Sequence, residues 1–140
     1  MSLVLDSSAT LAWIYSDEVA EGVRQLFDTV ADTGAFVPAL WRLEVANSLT
    51  IAVRRGRIDA EFRRAALDDL ALLDITTDSH TDTHAWAETL QLADRFRLTM
   101  YDAAYLELAH RRGVPLATLD QDLSSAALAL GLRVLGGVTG

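Results

Sequence analysis

The chain opens with the stretch SLVLDSSATLAW, residues 2–13, in which a short apolar run ends on an acidic residue. Such runs are typical of buried β-strands, and the residues after the acid follow a helical pattern with Leu11 and Ala12 on one side. Asp6 therefore lies where a strand ends and a helix begins. Strands that alternate with helices in this way are typical of α/β proteins.

The same pattern returns near the other end of the chain, in the stretch PLATLDQDLSSAALAL, residues 115–130. An apolar run from Leu116 to Leu119 is followed by Asp120, which begins a helical pattern rich in Ala and Leu. In open parallel α/β sheets, ligands bind outside the carboxyl ends of the strands, near the point where the strand order reverses. We therefore expect Asp6 and Asp120 to face one crevice.

The alternation of strands and helices along the chain predicts the α/β fold class, as a three-layer α/β/α sandwich with a mainly parallel five-stranded sheet. The predicted strands are 2–5, 35–37, 73–76, 116–119 and 133–135. The predicted helices are 9–15, 18–29, 39–54, 59–72, 83–96, 101–112 and 121–130. A chain of 140 residues with 51% hydrophobic content suits a single domain over residues 1–140, and its Gly-rich end, 136–140, is expected to fray.

Two further acids belong to predicted helices. Glu44 lies in the helix after Pro38, and its side of that helix is mostly uncharged. A carboxylate there needs a partner, because burial of an unpaired charge is costly, and an arginine from elsewhere in the fold could be that partner. Asp102 opens the helix that precedes the Leu116 strand, and a helix N-terminus stabilises negative charge.

Carboxylates gathered in one crevice repel one another, raise one another's pKa values and destabilise the fold unless a cation compensates. The four candidates offer only oxygen ligands, which suits Mg2+ or Mn2+. Zinc is disfavoured, because the set contains neither His nor Cys. The candidate metal ligands and catalytic residues are Asp6, Glu44, Asp102 and Asp120.

Each of three of these acids also has a purely structural interpretation. Asp6 and Asp120 match helix N-caps, and Thr99 with Asp102 matches a capping box. Capping and metal binding are compatible roles for one carboxylate, so the residues alone leave both interpretations open.

Four segments of the chain resemble the successive acidic motifs of the PIN-domain ribonucleases, most closely the VapC-type toxins of bacterial toxin–antitoxin pairs. The segments are VLDSSATLAW, LWRLEVANSL, LTMYDAAYLELA and PLATLDQDL, in the family's order and over nearly the whole chain. Each segment alone is short and is weak evidence for the family. In register they make a specific signal, with Asn47 one turn after Glu44 and Thr118 two residues before Asp120.

The resemblance implies a Mg2+- or Mn2+-dependent endoribonuclease that hydrolyses RNA with a metal-activated water. Asp6 and Asp102 would be the principal metal ligands, and Glu44 and Asp120 would complete the site directly or through water. The supporting hydrogen-bond partners would be Ser7 or Ser8, Asn47 and Thr118, with Asp122 as an additional candidate acid. The resemblance also implies a homodimer and a small antitoxin protein as partner.

Charge and composition limit the other functions. The formal net charge of −8 argues against a broad basic face for RNA, although local arginines could still engage phosphates. These arginines, which a solvated surface explains equally well, are Arg54, Arg55, Arg57, Arg63 and Arg64. Arg111 and Arg112 are interpreted instead as cations that meet the dipole at a helix C-terminus.

The chain contains no Lys, which excludes a standard P-loop and a standard phospho-receiver domain. It also has no Cys and no apolar run long enough to span a bilayer, so we expect a soluble cytoplasmic protein. Two alternative functions stay open on the residues: an inactive α/β module that binds a partner protein, and a PIN nuclease of RNA processing outside any toxin pair.

Overall fold

The computed structural model describes residues 2–15 and 21–136. The strands are β1 (Val4–Leu5), β2 (Ala35–Val37), β3 (Ile75–Thr77), β4 (Leu116–Ala117) and β5 (Val134–Leu135). The helices are α1 (Ser7–Ile14), α2 (Glu21–Thr33), α3 (Trp41–Arg54), α4 (Ala60–Ala71), α5 (Thr81–Ala85), α6 (Glu88–Phe96), α7 (Met100–Arg112) and α8 (Gln121–Ala129). The strands form one sheet in the order β3-β2-β1-β4-β5, with every pairing parallel, which confirms the predicted fold class.

The chain crosses the sheet in two directions from the central strand β1. It first steps outward through β2 to β3, then returns to the other side of β1 to form β4 and β5. Because crossovers between parallel strands are right-handed, α1–α4 cover one face of the sheet and α5–α8 the other. The strand order reverses between β1 and β4, so the carboxyl ends of these two strands border the crevice in which α/β proteins bind ligands.

The core is densest around β1, β4 and α7. Val4, Leu5, Leu116 and Ala117 are all 0% exposed, as expected for parallel strands covered on both faces. The register pairs Leu5 with Ala117, so the residues that follow them, Asp6 and Thr118, leave the sheet at the same level. Helix α7 is buried without interruption from residue 103 to 109.

One predicted helix, 83–96, is wrong as a single element. The structure has two helices instead, α5 and α6, separated at Trp86 and Ala87. The backbone of Ala87 leaves the helical region, with φ −122° and ψ −104°. Neither Gly nor Pro marks this break, so no local signal in the sequence predicts it.

The predicted end of the second helix at residue 29 is also wrong, because α2 continues to Thr33. The helix ends at Gly34, whose φ is +74°, and a Cβ atom there would lie 2.8 Å from the backbone oxygen of Asp74. Only glycine meets both constraints. The predicted start of this helix, residue 18, lies outside the described residues, as does 137–140 of the predicted tail.

The other elements begin and end within two residues of their predicted positions. The prediction of a single domain over residues 1–140 stays a prediction. No helix in the described part of the chain has the length and apolar character needed to cross a membrane.

Arg111 lies in the last turn of α7, as predicted, but it also forms ion pairs that were not predicted. Its guanidinium donates to Asp78, just after β3, with Nη2 2.6 Å from Oδ2, and to Glu107, with Nε 2.7 Å from Oε2. Asp78 is 3% exposed and Glu107 is 5% exposed. Burial alone would raise the pKa of Asp78, but the hydrogen bonds and charge of Arg111, with further hydrogen bonds from the His80 backbone and the Thr81 hydroxyl, hold that pKa below its usual value. This buried network ties α7 to the end of β3.

We predict that Arg111→Met lowers the free energy of unfolding by about 3–5 kcal/mol, because it leaves two buried carboxylates without their cation. Urea denaturation measures this loss.

The matched control is Arg64→Met. Arg64 pairs with Asp68 on α4, where the two side chains are 71% and 66% exposed, so its loss costs at most about 1 kcal/mol. Similar small losses in both variants would contradict the assigned role of Arg111.

Candidate metal centre

Asp6 and Asp120 each follow a strand of the sheet and cap the helix that comes next. Asp6 Oδ1 accepts a hydrogen bond from the backbone N–H of Ala9 at 2.9 Å, and Asp120 Oδ2 accepts one from Leu123 at 2.8 Å. These bonds satisfy N–H groups that a helix N-terminus otherwise leaves unpaired, so both predicted N-caps are confirmed. The two acids therefore both lie beyond the carboxyl ends of β1 and β4, which are neighbours in the sheet.

Two hydroxyl groups tie Asp6 to the end of β4. Thr118 Oγ1 donates to Asp6 Oδ2, and Ser8 Oγ donates to the same carboxylate at 2.8 Å. The hydroxyl oxygens in turn accept from the backbone of the β4–α8 loop, Ser8 from Leu119 and Thr118 from Asp120, both at 3.0 Å. The carboxylate of Asp6 thus lies at the centre of a network that joins α1 to the end of β4.

Glu44 reaches the site from α3. The start of this helix is anchored by Trp41, whose Nε1 donates to Thr10 Oγ1 at 3.1 Å. One turn later, Glu44 Oε1 accepts a hydrogen bond from the hydroxyl of Tyr105 at 2.7 Å. The sequence left an arginine open as the partner of this half-buried carboxylate, and the structure provides a buried tyrosine of α7 instead.

Asp102 is the third residue of α7, and it is half-buried. Its backbone N–H donates to the Thr99 hydroxyl at 3.1 Å, which confirms Thr99 as the predicted cap. Tyr105 follows Asp102 by three residues and lies on the same side of the helix. Tyr105 was not among the residues predicted for the site, although this spacing is a signal that could have pointed to it.

No basic side chain in the described part of the chain pairs with any of these four acids. The ion pairs found there involve other acids, namely Asp68, Asp78, Glu88 and Glu107. Within the described residues, no side-chain cation therefore neutralises the charges of these four acids.

Burial and mutual repulsion act on two of the acids. Burial raises the pKa of Asp6 to about 6, although the hydrogen bonds from Ala9, Thr118 and Ser8 lower it. Burial also raises the pKa of Asp102, and the charges of Asp120 and Glu44 raise it further. Because the charge of Asp102 in turn acts on Asp6, the four acids from four separate elements share one electrostatic environment.

The remaining predicted residues differ in how closely they are associated with the four acids. Asp122 is exposed on α8, but its charge contributes to the raised pKa of Asp102. Ser7 is the first residue of α1 and lies beside Tyr105, whose pKa it influences. Asn47 is exposed on α3, one turn after Glu44. Its side chain makes no hydrogen bond to the four acids within residues 2–15 and 21–136.

The donor set suits a hard divalent cation, because it consists of carboxylate and hydroxyl oxygens alone. Within the described ranges, however, no three Asp, Glu or His side chains converge on one point. Ionised carboxylates have about four lone-pair sites each, and the hydrogen bond from Tyr105 engages only one oxygen of Glu44. The oxygen donors therefore fit a Mg2+ or Mn2+ ion by their chemistry.

A parallel sheet in this strand order, with acids from four elements near its switch point, is a doubly wound α/β fold with an acidic candidate site. The model of the PIN domain family matches residues 3–128, and the chain belongs to this family.

Among known proteins, the chain is similar to ribonuclease VapC3 of Pyrobaculum aerophilum, with 30% identity over 130 residues that cover 93% of this chain and 98% of the relative. The fold is similar to the crystal structure of PAE2754 from Pyrobaculum aerophilum, with a TM-score of 0.70, 25% identity, and coverage of 96% of this chain and 83% of that one. It is also similar to the DNA-bound VapBC from Salmonella typhimurium, with a TM-score of 0.68, 17% identity and 96% coverage of both chains.

The raised pKa of Asp6 predicts a pH dependence of stability in metal-free buffer. Its folded-state pKa of about 6 lies above the ordinary value of 3.8, so the folded protein binds this proton more tightly than the unfolded chain does. This contribution to stability is present at low pH and is lost as the pH rises through about 6. Between pH 7.5 and pH 5, we expect the stability of wild type relative to Asp6→Asn to increase by on the order of 1 kcal/mol.

Chemical denaturation in the presence of a chelator measures this difference. Asp94→Asn, at an exposed acid of α6, is the control and should follow the pH dependence of wild type. A parallel pH dependence of wild type and Asp6→Asn would show that Asp6 titrates normally in the folded protein.

Proposed function

We propose that this protein is a divalent-metal-dependent endoribonuclease and the toxin of a toxin–antitoxin pair. One observation carries the proposal: acids from four elements lie near the switch point of the sheet, and within the described residues no basic side chain pairs with them. Such a site repels an anionic phosphodiester until a cation is bound, so its charge has a use only with a metal.

In this proposal, Asp6 and Asp102 are the principal ligands of a Mg2+ or Mn2+ ion, and Glu44 and Asp120 complete the site directly or through water. When bound, the cation would activate a water molecule and stabilise the charge that develops on the phosphoryl group. Both principal candidates have raised pKa values, and a neighbouring cation would favour their charged forms.

The side chains around the acids have defined parts in this proposal. Ser8 and Thr118 hold the carboxylate of Asp6 and restrict its rotation, as hydrogen-bond partners of metal ligands commonly do. The caps at α1 and α8 place Asp6 and Asp120 at helix N-termini, where the helix dipole favours negative charge. The protein thus supplies position and electrostatics, and hydrolysis by water requires no covalent bond to a side chain.

The similarity to ribonuclease VapC3 supports RNA as the substrate, because it extends over 93% of this chain. The likeness in fold to a VapBC structure agrees with a small antitoxin protein as partner. A homodimer and a single domain over residues 1–140 are also part of this proposal. A nuclease of RNA processing outside a toxin pair would have the same centre but no antitoxin.

Metal binding should be visible as stabilisation. A cation that binds only the folded state adds about 2.7 kcal/mol at a concentration 100 times its Kd. We expect Mn2+ to raise the melting temperature of wild type and to have a much smaller effect on Asp6→Asn and Asp102→Asn. Thermal unfolding with and without Mn2+ measures this, with Asp94→Asn as a control that responds like wild type. Equal shifts of the melting temperature in all four proteins would show that the metal binds away from Asp6 and Asp102.

Cleavage should depend on the same residues. With single-stranded RNA and Mn2+, we expect Asp102→Asn to lower the rate by about 100-fold or more, since a catalytic metal contributes several kcal/mol. Mapping of new RNA 5′ ends after induced expression in a bacterial host would also identify the target.

Asp94→Asn is again the matched control, and it should cut RNA and arrest growth as wild type does. Cleavage by Asp102→Asn at the rate of wild type would contradict the proposed centre. A protein that binds Mn2+ but cuts no RNA would favour the partner-binding module.

A further inference from the structure

Glu44 differs from the other site acids in the way it is held. Asp6 and Asp120 cap helices, whereas Asp102 and Glu44 lie in the first turns of α7 and α3, so a helix N-terminus stabilises all four acids. Glu44 caps no helix, and its neighbour Leu40 makes no side-chain cap at the start of α3. Among the described residues, the hydrogen bond from Tyr105 is the one side-chain bond that fixes the Glu44 carboxylate.

Tyr105 is placed to do more than fill the core. Its side chain is 0% exposed, and a buried hydroxyl group requires a hydrogen-bond partner. The partner is Glu44 Oε1 at 2.7 Å, an ordinary distance for an O–H···O hydrogen bond. The phenol also lies near the charge of Asp6 and the hydroxyl of Ser7, so it stands between α1, α3 and α7.

The position of Tyr105 in α7 links two of the acids. It follows Asp102 by three residues, so both side chains lie on the same side of the helix. One helix therefore supplies a carboxylate directly and aims a second one, Glu44, through a hydrogen bond. Because the phenol engages Oε1, the other oxygen of Glu44 is left to interact with a ligand in the crevice.

We propose that Tyr105 is a positioning residue of the metal centre, which acts by fixing the Glu44 carboxylate toward the cation. This inference rests on the proposed function, because it requires a metal in the crevice. It extends that function by assigning a role to a residue outside the acidic set. Loss of such a hydrogen-bond partner typically lowers metal affinity by about 10- to 100-fold.

The test is Tyr105→Phe, which keeps the buried ring and removes only the hydroxyl. We expect the Kd for Mn2+, measured by isothermal titration calorimetry, to rise by about 10- to 100-fold. In a Glu44→Gln background, we expect Tyr105→Phe to cause little further loss, because the carboxylate that it positions is absent. Tyr101→Phe is the control, since Tyr101 is on the same helix but is 62% exposed, and it should bind Mn2+ as wild type does.

A purely structural role predicts a different result. Tyr105→Phe would then lower the melting temperature in chelator but leave the Kd for Mn2+ unchanged, and this outcome would overturn the inference. An equal loss of affinity in the wild-type and Glu44→Gln backgrounds would overturn it as well, because the effect would not act through Glu44.

A second measurement needs no change at position 105. Binding of Mg2+ near Glu44 should alter the hydrogen bond of Tyr105 and produce a tyrosine difference spectrum in the near ultraviolet. We expect this spectrum in wild type and Tyr101→Phe, but not in Glu44→Gln. Wild type that binds Mg2+ with no tyrosine signal would contradict the positioning role and leave the proposed function intact, whereas wild type that binds neither metal would overturn both.

Discussion

The carboxylate buried at the end of the central strand is the constraint on which the rest of the site depends. Asp6 is only 3% exposed, and three donors hold it: the Ala9 backbone and the hydroxyls of Ser8 and Thr118. These bonds fix the start of α1 against the end of β4 at the point where the strand order reverses. Burial also raises the pKa of Asp6. A cation bound nearby would therefore stabilise this carboxylate in its charged form.

The parts of this arrangement that sequence predicts are those set by local chemistry and by topology. Asp6, Asp120 and Thr99 are followed by helical patterns, and each is a residue type that caps helices well, so their N-cap roles were predictable. The placement of Asp6 and Asp120 at one edge of the sheet followed from a general property of parallel sheets, whose carboxyl ends share one edge. Both inferences need no knowledge of side-chain packing.

The parts that sequence does not predict depend on contacts between distant residues. The bond from Tyr105 to Glu44 joins residues 61 positions apart, and the pair of Arg111 with Asp78 joins residues 33 positions apart. The dipole at the C-terminus of α7 was a sufficient local explanation for Arg111, so its partners were not predicted. The break at Ala87 carries no Gly or Pro, and alanine itself favours helices, so no local preference predicts it.

Helix α7 connects stability to the geometry of the site. Asp102 and Tyr105 lie toward its N-terminus, at the crevice, whereas Glu107 and Arg111 lie in its second half and bind the end of β3 through Asp78. A helix is rigid over this length, so the ion pairs at one end restrict the rotation that would move Tyr105 away from Glu44 at the other. The uninterrupted burial between the two ends leaves little room for adjustment. Helix α7 therefore carries both the buried ion pairs that tie it to β3 and the side chain of Tyr105 that binds Glu44.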